Sequence, residues 1–320
     1  MATENTPQPS IIQHVTAVSG FAYGVIGADI HVFENGLPLY LLANWRAEPM
    51  ADAGWLRALP SRMLNARREV VPFTGRESEL ADLRAWRDQS GSLAVRWIHG
   101  PGGQGKTRLS AQLAAESAAA GWKVVVASHG SDADRPGPGS ENLGLDGAAG
   151  VLIVVDYADR WPLASLTWLF KNAILHRPGV PARLLLAART ADGWPAVRAI
   201  LDAHQADVSS QFLEALPSDT GERASTYSAA LRSFAEVYEL PGDLPADSPI
   251  PLDDPEAGLT LALHMAALVA VDAFVTGQRP ARDMAGLTLY LLDREQLHWA
   301  RLYKDGEAGS YRTSPGVMNP

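Results

Sequence analysis

Gly100-Pro101-Gly102-Gly103-Gln104-Gly105-Lys106-Thr107 is the stretch that decides the fold. It satisfies the pattern G-x-x-x-x-G-K-[ST], and its surroundings suit that pattern. The apolar run 93–98 before it reads as a buried strand, and the Ala-rich run 105–119 after it reads as a helix. Glycines at a strand-to-helix turn let backbone N–H groups curl around an anion, and the head of the helix adds its partial positive charge. In that frame Lys106 reaches the terminal phosphates of a nucleotide and the Thr107 hydroxyl joins a Mg²⁺ shell. Arg108, on the same first turn, is counted with the binding residues Gly100 to Thr107. Lysine is scarce, at four residues in the chain, which makes a chance match improbable.

Working outward, residues 72–208 alternate helix and strand. Helices are expected over 78–88, 105–119, 161–176 and 193–206, and strands over 93–98, 122–127, 151–155 and 183–188. The strand runs are continuously apolar rather than alternating. That is the mark of strands covered on both faces, hence an α/β fold with a parallel sheet and helices on either side. The span 129–150, rich in Gly, Pro and Asp, is expected to be a long surface loop. After about residue 209 the strands are expected to stop. Three helices follow, over 218–240, 255–276 and 285–304, with the proline-rich segment 241–251 between the first two. No repeat at solenoid spacing is present.

Before the α/β unit, residues 46–71 read as a connector carrying one helix, 55–67. Residues 1–45 read as a small β segment with a hairpin at Asn35-Gly36, because both residues accept positive φ. Its stretch 20–32 is Gly-punctuated, β-prone and nearly uncharged, a composition suited to strand addition. A small hairpin packed on the following domain is the expected state. The organisation is therefore 1–45, 46–71, 72–208, a helical subdomain over 209–306 and a tail over 307–320.

Composition narrows the function classes. The chain has 320 residues, 47% hydrophobic and 20% charged, with 27 Lys and Arg against 36 Asp and Glu and a net charge of −9. Two domains fit that length at a prior of ~150 residues each. The acidic balance argues against a general nucleic-acid coat. The chain has no cysteine, so disulfides, thiolate metal sites and cysteine nucleophiles are ruled out. Neither a signal peptide nor a membrane span is legible, since the most apolar stretch, 258–275, contains His264 and Asp272. A cytoplasmic protein is expected, with no metal beyond Mg²⁺.

Two further segments carry chemistry. The apolar run 151–155 ends in Asp156, a carboxylate placed to hold Mg²⁺ opposite the Gly-rich loop. Asp159 lies three residues on, where it can orient an attacking water or cap the next helix. The run 183–188 ends in Arg189-Thr190, and ligands of open α/β sheets gather at such strand ends. Arg189 there can reach a γ-phosphate; a plain surface arginine is nearly as good a reading of the spacing alone.

In their order these motifs resemble the STAND class of signal-transduction NTPases. Phe73-Thr74-Gly75-Arg76-Glu77 is similar to the class's adenine-side motif, the strand ending in Asp156 to its Walker B, and Ala187-Ala188-Arg189-Thr190 to its sensor-1 strand end. Gly258-Leu259-Thr260-Leu261 looks like the GxP signature of its first helical subdomain. The resemblance spans about residues 72–304. It implies ATP or ADP gripped between the α/β and helical parts, with Gly75 and Arg76 beside adenine and ribose, Arg189 sensing the γ-phosphate, and hydrolysis switching the two parts' orientation. Two positions depart from the family pattern. Tyr157 stands where the class usually has a second acidic residue, leaving Asp159 as water-positioning group and implying slow hydrolysis. Thr260 replaces the proline of GxP. The class continues into a winged-helix domain and sensor repeats, so the chain reads as truncated before them, or as pairing with a sensor on another polypeptide.

Three functions compete on this reading. The first is an ATP-dependent switch with slow Mg-dependent hydrolysis, coupled to self-association or a protein partner. The second is a nucleotide-binding interaction protein without turnover. The third is a P-loop small-molecule kinase, disfavoured because 129–150 offers only Arg135 where a lid would need an arginine cluster.

Overall fold

The computed structural model describes residues 40–129, 143–145, 147–217, 221–240 and 247–304. The Asn35-Gly36 hairpin, the stretch 20–32, most of the loop 129–150, part of the segment 241–251 and the tail 307–320 lie outside the described residues.

Continuous apolar runs do form the centre of a mostly parallel α/β sheet. Its strands are β1 (Leu41–Asn44), β2 (Leu93–His99), β3 (Lys123–Ser128), β4 (Val151–Val155), β5 (Ala182–Ala188) and β6 (Asp207–Phe212), in the order β1-β3-β4-β5-β2-β6. All pairings are parallel except that of β1, which runs antiparallel to β3. Because successive side chains point to opposite faces, each central strand feeds two cores. Val151, Ile153 and Val155 of β4, with Val95 and Trp97 of β2 and Leu184 and Leu186 of β5, pack beneath α4 (Leu163–Phe170) and α5 (Trp194–Asp202). Leu152 and Val154, with Ile98 and Leu185, pack beneath α2 (Glu77–Asp88) and α3 (Lys106–Ala119).

A charged side chain sits inside this second layer. Arg183 of β5 is fully buried and donates to the carbonyls of Arg87 (2.9 Å), Ala182 (2.8 Å) and Gln89. Arg87 lies in the last turn of α2 and Gln89 just beyond it. The guanidinium thus serves the orphaned carbonyls that a helix end leaves inside a core.

The sheet extends further than its hydrophobicity indicates. Asp207–Phe212 pairs with β2 over Ala94 to His99, so the strands do not stop near residue 209, and the expected boundary at 208/209 cuts through β6. As an edge strand of sequence DVSSQF it has little to bury, and its polarity hid it. The helix expected over 193–206 ends at Asp202, freeing the chain to enter β6. At the opposite edge β1 pairs with β3 through Leu41↔Ser128 to Asn44↔Val125, so residues 41–44 of the expected N-terminal unit belong to the main sheet.

The helical part consists of α6 (Glu222–Val237), α7 (Thr260–Thr276) and α8 (Met284–Lys304). Their core takes in Leu56, Met63 and Val71, so the connector packs with the helical part. The single helix expected there is instead α1 (Ala53–Ala58) followed by two short 3-10 segments, Pro60–Leu64 and Ala66–Arg68. Pro60 breaks it, having no N–H to continue the ladder. Asp272, fully buried in α7, clasps the three helices. It accepts from Tyr238 at the end of α6 and Tyr290 of α8, each at 2.6 Å, and pairs with Arg294 at 2.9 Å. Burial and these bonds to the carboxylate raise both tyrosine pKa values. No helix among the described residues is long and apolar enough to cross a membrane.

Candidate functional site

Parallel pairing brings the strand ends together. His99 of β2 lies opposite Ala188 of β5, and Val155 of β4 lies opposite Leu186, so the Gly-rich loop, Asp156 and Arg189 emerge on one carboxyl edge. The loop climbs from β2 and closes on α3 at Gly105, whose φ of 93° is left-handed backbone that a side chain would strain. Gly103, at φ 84°, is under a second constraint: a Cβ there would stand 3.1 Å from Leu261 Cβ.

Two contacts define the chemistry of this edge. The Thr107 hydroxyl donates to Asp156 Oδ2 at 3.0 Å, setting two hard oxygen groups side by side at the end of β4. The Lys106 ammonium donates to the carbonyls of Gly100 (2.5 Å) and Pro101 (2.8 Å), which holds its charge against the loop. Burial lowers the Lys106 pKa and Arg189 adds to that, while Asp156 and Asp159 oppose it. Among the described residues no cluster of three His, Asp or Glu side chains could hold a metal unaided. The Thr107–Asp156 pair fits Mg²⁺ only as a partial shell completed by phosphate oxygens and water, as Mg²⁺ commonly takes.

Asp159 and Arg189 stand next to this pair with partners of their own. Asp159 is exposed and accepts from the Arg189 backbone N–H at 3.0 Å, so it fastens the turn after β5. Trp97 Nε1 donates to Thr190 O at 3.1 Å and pins the same turn from below. The Arg189 guanidinium lies 5.7 Å from the Tyr157 ring centre, and that of Arg160 lies 4.8 Å from it. Tyr157, at φ 52°, therefore carries two cations beside its ring.

A cavity of about 1280 Å³ opens over the loop. Gly102, Gly103, Gly105, Lys106, Thr107, Arg108, Asp156, Tyr157 and Arg189 form one side of it. The connector, through Asn65, Ala66 and Arg67, and the helices α7 and α8, through Thr260, Leu261, His264, Met265, Glu295 and Trp299 among others, form the opposite side. The start of α7 rests directly on the loop, with Leu261 N–H donating to Gly103 O at 3.0 Å.

Several expected residues stay outside the cavity lining, although Gly100, Pro101 and Gln104 still form part of the loop itself. Gly75, Arg76, Gly100, Pro101, Gln104 and Asp159 do not line the cavity. Arg76, expected beside adenine, is buried beneath the loop, where it donates to Gln104 Oε1 (3.0 Å), Glu79 (2.6 Å) and Glu214 O (2.7 Å). It braces the loop from behind. Arg108 does line the cavity, and its guanidinium is paired with Glu69 at 2.6 Å and with Val71 O at 3.1 Å.

Sequence reading pointed to the start of α7 through the stretch 258–261, and missed the connector and α8. The connector carries no local motif, and its residues meet the loop only through tertiary packing. His264 did carry a signal, being with Asp272 one of two ionisable residues in a mostly apolar helix. It lies edge-on to Phe234 at 6.4 Å. Burial, helped by the charge of Arg108, pushes its pKa down to about 4.

No protein-family model matches the chain, and no curated protein matches it. Solved structures of similar backbone exist. The ORC2 protein of Aeropyrum pernix, solved as ADPNP–ADP complexes, is 15% identical over 79% of this chain and 85% of its own, with a TM-score of 0.46. NtrX of Brucella abortus is 14% identical over 81% and 68%, with a TM-score of 0.43. Domain III of the Thermotoga maritima replication initiation protein DnaA is 17% identical over 77% and 98%, with a TM-score of 0.38. Likeness at this level concerns the path of the backbone; the chemistry of the site rests on its own geometry.

Proposed function

We propose that the chain binds ATP or ADP with Mg²⁺ and acts as a nucleotide-dependent signalling switch of the STAND type. One observation carries the reading: the Thr107 hydroxyl stands 3.0 Å from the Asp156 carboxylate, at the head of a helix entered through a glycine loop. The loop amides and the α3 N-terminus take the phosphate chain, Lys106 exchanges its carbonyl partners for phosphate oxygens, and Thr107 and Asp156 hold the metal. Bound Mg²⁺ would neutralise charge building on the transferred phosphoryl group. Arg189, at the end of the neighbouring strand, contacts the terminal phosphate and leaves the Tyr157 ring when it does. Because the cavity is shared by the loop, the connector and the helical part, a nucleotide there bears on how these parts sit together, and a protein partner or a second copy reads that change.

Phosphate release from ATP by the full chain tests the switch reading: a slow Mg-dependent rate is expected, absent in Asp156→Ala. A second reading, nucleotide binding without turnover, is favoured by one specific contact. Asp159 is already committed to the Arg189 N–H and does not line the cavity, and Glu295, the one carboxylate besides Asp156 among the described lining residues, is held by the Ser61 hydroxyl on the far wall. Nucleotide binding with no measurable phosphate release would establish it.

A further inference from the structure

We propose that His264, with Thr260 one helical turn before it, hydrogen-bonds the nucleoside half of the nucleotide, at a sugar hydroxyl or base edge. The proposal rests on the nucleotide reading above and deepens it. Thr260 Oγ1 and His264 Nε2 are both buried without a hydrogen-bond partner, and both residues line the cavity. A buried polar atom left unpaired costs about 1–3 kcal/mol. Two of them at i and i+4 on one helix face, beside Leu261 and Met265 of the same helix, form a site whose cost a ligand offsets.

The chemistry of the pair suits a nucleoside rather than a phosphate. The His264 ring, held neutral by burial and by Arg108, presents one donor and one acceptor nitrogen at neutral pH. The threonine hydroxyl likewise donates and accepts. Mixed donors and acceptors match a sugar hydroxyl or a base edge, whereas phosphate oxygens only accept. Position agrees with this. Thr260 Oγ1 would stand 3.5 Å from a Cβ on Gly105, beside the phosphate loop, and His264 is one turn, ~5.4 Å, further along α7. A ligand lying on the loop therefore meets these residues with the part that extends beyond its phosphates.

Calorimetric titration of the full chain with Mg·ATP, Mg·2′-deoxyATP and inorganic tripolyphosphate tests the idea. His264→Leu is expected to bind ATP at least tenfold more weakly than wild type while binding tripolyphosphate within twofold. Thr260→Val should show the same selectivity with a loss of about threefold. Should His264→Leu fail to give the native far-UV spectrum, His264→Gln, which keeps a donor and an acceptor, is expected to stay within threefold of wild type for ATP, and a tenfold loss there overturns the proposal. A loss shared by ATP and deoxyATP places the contact on the base or the 3′-hydroxyl, and one confined to ATP places it on the 2′-hydroxyl; either supports the proposal. Unchanged ATP affinity in His264→Leu makes the histidine a core residue and overturns the proposal alone, as does an equal loss for tripolyphosphate. Wild-type protein that binds neither ATP nor tripolyphosphate overturns it together with the nucleotide reading.

Discussion

The two walls of the cavity are built by different means. The loop wall comes from one contiguous stretch, Gly102 to Arg108, plus two strand ends brought to it by parallel pairing. The opposite wall is assembled from Asn65 to Arg67, the first turns of α7 and the middle of α8, segments separated by more than half the chain. The loop wall is polar, and its groups already bond one another. The helical wall sets apolar side chains, Leu261, Met265, Leu292 and Trp299, among polar ones such as Glu295 and Gln296, and leaves two polar atoms unpaired. The difference separates a part that handles charge from a part that handles shape, and it predicts that damage to each wall is read by different assays.

The largest effect is expected from Asp156→Ala, which should lower any ATP phosphate release at least a thousandfold, because the metal loses its only side-chain carboxylate. A chromatographic assay of ADP formation checks it. Lys106→Ala should weaken nucleotide binding about a hundredfold, roughly 2.7 kcal/mol, with an unchanged far-UV spectrum; titration calorimetry measures it. Both variants leave the helical wall intact.

Acid probes the other wall. His264 titrates at about 4 in the fold and at about 6.5 when unfolded, so the unfolded chain binds more protons between those values. The stability present above pH 6.5 is therefore lost as pH falls through that window, by about 2 kcal/mol at pH 5. Urea denaturation at pH 7 and pH 5 should show a smaller acid penalty for His264→Leu than for wild type. Tyr290→Phe, which removes one bond to the buried Asp272 carboxylate, should cost about 1.5 kcal/mol in the same assay. At the small end, the exposed Arg84–Glu116 pair, 2.6 Å apart, should matter little: Arg84→Ala is expected to change stability by no more than about 0.5 kcal/mol.

How far the sequence reached follows the same division. The fully buried strands β2, β4 and β5 and the glycine loop were legible because each is a local pattern: an apolar run, or residues in fixed succession. β6 was not, because an edge strand of polar residues looks like loop. The connector broke at Pro60 into short segments whose role depends on docking against α8, where Ser61 donates to Glu295. Arg76 illustrates the limit at the level of one side chain. Its motif placed it near the loop, and it is near the loop, yet a guanidinium can bind a ligand or brace the backbone, and only packing decides. Gln104 and Glu214 O take its hydrogen bonds from behind.

Thr107 and Asp156 meet beside the glycine loop, and on the proposed function they hold a metal together with a nucleotide. Calorimetric titration of the full chain with ATP, with Mg²⁺ and then with EDTA, tests this most directly. Tighter binding with Mg²⁺, and loss of that gain in Asp156→Ala, is the predicted result. Equal affinity with and without Mg²⁺, or no ATP binding at all, would contradict it.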